Sequence, residues 1–142
     1  MTDSSVKNAV TERNDEARSR IVGLAEGSLS ETIYAGAGAG TGKTQALVER
    51  IANLFTIGGV KPENIAAVTF TVAAASELKQ RVREELEKRL DALQTSGSTE
   101  SKAPLATALD SLDLAFIGTI HSFAQSLLRE RPLAVGLPPV FE

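Results

Sequence analysis

Apolar residues follow two rhythms along this chain: short unbroken runs, and longer stretches spaced by three and four. Met1 to Asn14 shows neither rhythm and reads as a frayed, flexible tail, which leaves 15–142 as the folded unit. From Asp15 to Glu26 the residues Ala17, Ile21, Leu24 and Ala25 share a helical face, with Gly27 as the stop. Glu31 to Ala35 is a short strand candidate, followed by a glycine-dense stretch and a helical pattern from Lys43 to Phe55. Leu47, Ile51 and Leu54 form the inward stripe of that helix, and Gly58, Gly59 and Pro62 break it. Ile65 to Phe70 is an apolar run of strand length, as expected of a strand buried on both faces. Thr71 is a candidate cap for the clearest helix, Ala73 to about Leu93, whose stripe is Leu78, Val82, Leu86 and Leu90. Glu77–Arg81, Glu84–Lys88 and Glu85–Arg89 stand acid-first at i, i+4 on its outer face, the pattern of a solvated surface. Gln94 to Lys102 is a polar loop, and Pro104 to Asp110 a short helix. Ala115 to Thr119 is a third strand candidate. Ile120 to Arg131 is a last helix with Phe123, Leu127 and Leu128 inward, ended by Pro132 before a tail from Leu133 to Glu142. Strands therefore alternate with helices, which predicts an α/β fold: a parallel sheet of about three strands, flanked by helices on right-handed crossovers.

Composition narrows the chemistry. The chain has no cysteine, which removes disulfides, thiolate metal sites and cysteine nucleophiles. Its single histidine, His121, rules out a histidine metal cage. No apolar run approaches the roughly 20 residues of a membrane span, so no membrane partner is expected and the cytoplasm is the default compartment. A net charge of −3 argues against coating nucleic acid by bulk positive charge. It leaves open binding through a few placed amides and hydroxyls.

The strongest chemical signal is Ala37-Gly38-Ala39-Gly40-Thr41-Gly42-Lys43-Thr44, a phosphate-loop pattern with Ala at its first fixed position. A triphosphate must be wrapped closely by backbone N–H groups, and residues without bulky side chains permit that approach. The helix that follows aims its first amides and positive dipole end at the anion. Lys43 is placed to reach the β and γ phosphates, Thr44 to ligate Mg²⁺, and Gln45 completes the ATP-binding set. Lys43 and Thr44 are the catalytic candidates. Such a loop specifies a nucleotide, not a reaction. Hydrolysis also needs a carboxylate after an apolar strand, and none is found: Ile65 to Val68 leads into Thr69, and Ala115 to Ile117 into Gly118. The acid is then unconventional or lies beyond residue 142. Two other readings stay open at this point. One is a small phosphotransferase, with Arg129 and Arg131 as its only late arginines; the other is a non-catalytic nucleotide-binding module.

Three segments taken together resemble one family. A-G-A-G-T-G-K-T (37–44), V-T-F-T-V-A-A-A-S-E-L-K (68–79) and I-G-T-I-H-S-F (117–123) are similar, in order and spacing, to motifs I, Ia and Ib of UvrD/Rep-class superfamily 1 DNA helicases. The run from His121 to Leu137 is most like the RecB/AddA branch. The resemblance implies the N-terminal part of a RecA-like P-loop NTPase motor domain, incomplete in this chain. It implies ATP and Mg²⁺ as cofactors, and translocation on single-stranded DNA or at a duplex/single-strand junction. The partners it implies are further helicase domains or a nuclease subunit. Carried over by position, Thr69, Phe70 and Thr71 would touch the DNA strand beyond the second strand, and Thr119 and His121, with Ser122 beside them, beyond the third. The family pattern is not met everywhere. Ala17 stands where a base-reading Gln is usual, and Ala73 where a polar or basic residue is usual. Without the resemblance, Phe70 reads as core packing and Thr71 and Thr119 as helix caps.

Overall fold

The computed structural model describes residues 14–36, 38, 40–95 and 102–130. Residues 1–13 of the predicted N-terminal tail, 96–101 of the predicted loop, and Arg131, Pro132 and the predicted tail from Leu133 to Glu142 lie outside these. The first helix, α1 (14–22), already includes Asn14 and stops earlier than the apolar pattern suggests. Leu24 N–H bonds back to Ser19 O at 2.9 Å and Gly23 N–H to Arg20 O at 3.2 Å, the paired closure of a helix end. Leu24 and Ala25 therefore fall beyond the helix, and Val22 is the residue α1 buries.

The strand predicted over Glu31 to Ala35 does not form. A 3-10 turn, Ser28–Ser30, precedes it, and 32–36 makes no ladder among the described residues. A strand exists only where a neighbour takes its N–H and C=O groups, and the sheet here consists of two other strands. Helix α2 (Lys43–Thr56) buries Ala46, Val48, Ile51, Ala52, Asn53 and Phe55. Leu47 is exposed rather than inward. Two apolar stripes overlap on this helix. The wider one, at 48, 51, 52 and 55, wins the core because it offers more area to bury.

Strand β1 (Ala66–Thr69) runs into helix α3 (Val72–Thr95), then helix α4 (Ala103–Asp110), strand β2 (Phe116–Thr119) and helix α5 (Ile120–Glu130). β1 and β2 are parallel, pairing Ala66 with Phe116, Ala67 with Ile117, Val68 with Gly118 and Thr69 with Thr119. One core joins α2, α3 and α4 to one face of this sheet, through Val48, Phe55, Val82, Leu86, Leu105 and Ala67. Leu78, Val82 and Leu86 are buried as the spacing predicts, with Leu90 half-buried at the edge.

The run at 65–70 is buried on one face, not two: Ala67 is inside while Ala66 and Val68 are exposed. On the outer face α5 packs at β2, where the Phe123 ring lies 5.1 Å from that of Phe116, and leaves Ala66 and Val68 of β1 exposed. Gly118 makes this packing possible, since a Cβ there would sit 2.7 Å from the Phe116 ring and 2.9 Å from Ser122 Oγ. Leu127, predicted inward, is half-exposed because no described element covers the far half of α5. On α3, Glu85–Arg89 closes at 2.8 Å and Glu77–Arg81 also forms. Lys88 meets Glu85 at 3.9 Å instead of Glu84, which accepts from Gln80. Among the described residues no helix is long and apolar enough to cross a membrane.

Candidate nucleotide cleft and strand-end surface

The glycine-rich loop is shaped by two left-handed residues, Gly40 (φ 76°) and Gly42 (φ 80°). A side chain would be strained at both positions, although nothing lies within 4 Å of either Cβ site. Gly42 is the N-cap of α2, and the first helical bond runs from Ala46 N–H to Gly42 O at 2.9 Å. The amides of the first turn thus point out of the helix end toward the loop. Gly38 O pins the loop from inside: it accepts from Thr41 Oγ1 at 2.8 Å and from Lys43 Nζ. Lys43 and Thr44 are exposed at the head of α2. Gln45 donates to Glu49 at 3.0 Å and lines a polar groove beside Arg81 and Glu84. Ala37 and Ala39 lie outside the described residues.

A cleft of about 710 Å³ opens beside this loop. Thr41, Gly42 and Lys43 of the loop line it together with Asn14, Arg18, Tyr34 and Arg50. Ala17 also lines it and brings no polar group to a base. Tyr34 is 95% exposed on the cleft wall. The wall is braced by Arg18, whose Nη2 donates to both carboxylate oxygens of Glu49 at 2.8 and 2.9 Å. Arg20 donates to Glu31 at 2.8 Å; this hydrogen bond first, and then the carboxylate's charge, hold the Arg20 guanidinium above its ordinary value. Arg50, from α2, donates to carbonyls of both α1 and the 28–31 segment.

The second cluster sits at the C-terminal ends of the two strands, where ligands of open α/β sheets bind. Thr69 and Thr119 are register partners, which sets their following loops side by side. Thr71 caps α3 by accepting from Ala74 N–H at 3.1 Å, and Thr69 Oγ1 donates to Thr71 O at 3.0 Å. Thr119 and Ser122 form a reciprocal cap on α5: Ser122 N–H donates to Thr119 Oγ1 at 3.2 Å, and Thr119 N–H to Ser122 Oγ at 3.0 Å. The expectation that both threonines cap helices is met. Phe70 is 97% exposed, so the core-packing reading of it is wrong. His121 is exposed on the first turn of α5.

Two residues that brace the cleft, Arg50 and Asn53, were not legible as site residues. Arg50 follows Lys43 by two helical turns on the same face, which is the only signal it carries. Asn53 is a polar residue within the inward stripe, where it donates to Val22 O at 2.7 Å and accepts from Arg89 Nη1 at 2.7 Å.

Residues 21–142 match the family described as UvrD/REP helicase N-terminal domain. The chain is 38% identical over 111 residues to an ATP-dependent helicase/nuclease subunit of Ligilactobacillus salivarius, covering 78% of this chain and 9% of that protein. It is 41% identical over 112 residues to the protein of the same name from Streptococcus uberis, with 78% and 9% covered. It is 39% identical over 106 residues to DNA helicase II of Haemophilus influenzae, with 75% and 12% covered. The chain therefore spans about a tenth of the length of these curated relatives. On the match across 21–142, the chain belongs to the UvrD/REP helicase family, in the region of that family's N-terminal domain.

Proposed function

We propose that this chain is the ATP-binding portion of an ATP-dependent DNA helicase of recombination and repair, acting in the cytoplasm on single-stranded DNA or a duplex/single-strand junction. The observation that carries the reading is the loop itself: left-handed Gly40 and Gly42 deliver the head of α2, with Lys43 and Thr44, to the edge of a cleft. These residues fit a Mg²⁺-triphosphate. The glycines let backbone amides approach the anion, Lys43 supplies a cation on a long stem for the β and γ phosphates, and the Thr44 hydroxyl is a hard oxygen ligand. Mg²⁺ neutralises phosphate charge there. Gly38 and Gly40 to Gln45 form the described part of the binding set, with Ala37 and Ala39 completing it. Thr69, Phe70, Thr71, Thr119 and His121 form the DNA track, supported by the exposed ring and by hydroxyls beside two helix N-termini. The helicase and nuclease names of the relatives support two kinds of partner, further motor domains and a nuclease subunit.

The test is calorimetric titration of the 142-residue chain with ATP and Mg²⁺. Lys43→Ala should abolish binding, and Thr44→Ala should remove its Mg²⁺ dependence. Turnover by the chain alone should be negligible, because Thr69-Phe70-Thr71 and Thr119-Ile120-His121 place no acid at either strand end. Measurable hydrolysis that Lys43→Ala abolishes would refute the incomplete catalytic site.

A further inference from the structure

One guanidinium gathers an unusual number of acceptors. Arg50 Nη1 donates to Ile21 O at 3.1 Å and Arg20 O at 3.4 Å, both in the last turn of α1. Arg50 Nη2 donates to Ser28 O at 3.0 Å, Leu29 O at 3.3 Å and Glu31 O at 3.3 Å. The carbonyl end of a helix carries the negative end of its dipole and lacks helical donors, so a cation there satisfies both needs. The two sets of carbonyls diverge in space. A planar fork can serve them together, whereas a compact ammonium cannot.

The other braces do less. Arg18 ties α1 to α2 at a half-exposed position, and Asn53 ties Val22 O to α2. The Arg20 side chain ties α1 to Glu31, and Arg20 meets α2 through its backbone carbonyl, which accepts from Arg50. Among the described residues with these contacts, only the Arg50 side chain joins α1, the 28–31 segment and α2. Those parts have distinct duties around the cleft. α2 begins in the phosphate-type loop, while α1 and the segment through Tyr34 line the same cleft, and Arg50 itself lines it between them in the hydrogen-bond network. The loop's own bonds, from Thr41 and Lys43 to Gly38 O and from Ala46 to Gly42 O, do not involve Arg50.

We infer that Arg50 is a positioning residue that sets the distance between the wall facing the nucleoside and the helix holding the phosphates. The inference rests on the reading of the cleft as a nucleotide site. It makes the nucleoside, but not the phosphates, depend on Arg50. A residue that merely stabilised the fold would affect both alike.

The experiment is titration of the 142-residue chain with Mg-ATP and, separately, with Mg-tripolyphosphate, which has the phosphates and no nucleoside. Wild type is compared with Arg50→Lys, which keeps the charge, and Arg50→Gln, which keeps a planar donor; each is first checked for a cooperative melt. Arg50→Lys should weaken ATP binding by about tenfold and tripolyphosphate binding by less than about twofold. Equal losses for both ligands, or unchanged ATP affinity, overturn the inference. So does failure of both variants to fold, which would make Arg50 a folding residue. In wild type, Lys43→Ala should abolish binding of both ligands; if it does not, the nucleotide reading itself fails, independently of Arg50.

Discussion

Phe70→Ala separates function from packing cleanly. The ring is 97% exposed, so its removal takes almost no apolar area out of the fold. Its neighbour Val72 is 73% exposed and gives it no shelter. Folding stability should therefore stay within about 0.5 kcal/mol of wild type, the usual range for a surface change. A base stacked on an aromatic ring contributes about 1–3 kcal/mol, so single-strand affinity should fall by roughly 5- to 150-fold. Fluorescence anisotropy with a labelled oligothymidylate at low salt measures the second quantity, and parallel urea unfolding the first. Phe70→Trp should keep affinity because it keeps a ring face; Phe70→Leu should not, despite similar hydrophobicity. Unchanged DNA affinity in Phe70→Ala would refute a stacking role. A stability loss above about 1 kcal/mol would show instead that the ring packs against the protein.

Three further perturbations address the scaffold and the loop. Asn53→Ala strips the donor from the carbonyl of Val22, a residue 2% exposed, and should cost about 2–3 kcal/mol in urea unfolding, since Arg89 keeps Glu85 as a partner; a change below about 0.5 kcal/mol would remove the bridge from the account of stability. Gly42→Ala meets no atom within 4 Å, so its cost should be only the left-handed strain of about 1–2 kcal/mol, with ATP affinity falling because the head of α2 is displaced. The Asp113 carboxyl is held below its ordinary value, first by the hydrogen bond from Lys79 at 2.8 Å and by that ammonium's charge, with Arg83 adding to it. A lowered native value means stability that is present above the ordinary value of 3.8 and lost as pH falls below it. Asp113→Asn should thus be less stable than wild type at neutral pH, and the difference should begin to shrink as pH falls past 3.8 and vanish once pH drops through the lower native value.

Local signals proved legible wherever one stretch of chain decides the outcome. The spacing of Leu78, Val82 and Leu86 dictates α3, and Thr71 and Thr119 cap the helices they precede because a hydroxyl beside an N-terminus needs no distant partner. The loop before α2 was readable for the same reason, Gly40 and Gly42 standing where left-handed backbone is required. What failed depended on neighbours. The strand expected at Glu31 to Ala35 needed a ladder partner, and the second buried face of 65–70 needed a covering layer. Leu47 lost the core to Val48 by one residue of helical phase, a choice made by packing rather than by pattern. Arg50 and Asn53 were invisible because their acceptors are backbone carbonyls, which no side-chain motif announces.

An acidic chain that is to hold two acidic ligands must place its donors rather than accumulate charge. The two candidate sites do this in the same way. Gly42 opens α2 beneath the loop, and Thr71 opens α3 beneath Phe70, so each surface is headed by a helix N-terminus. Those helices are not independent supports. Val48, Ile51 and Phe55 of α2 share one buried cluster with Leu78, Val82 and Leu86 of α3, and α3 also packs on both strands. A core at crystal-like density passes on a displacement instead of absorbing it. If a bound triphosphate pulls on the head of α2, the shift must be taken up at α3 or in the core, and the core has little give. On this reading the wall held by Arg50 fixes where a nucleotide pulls, and the α2–α3 pair carries that pull to the strand ends, where Phe70 is proposed to meet DNA.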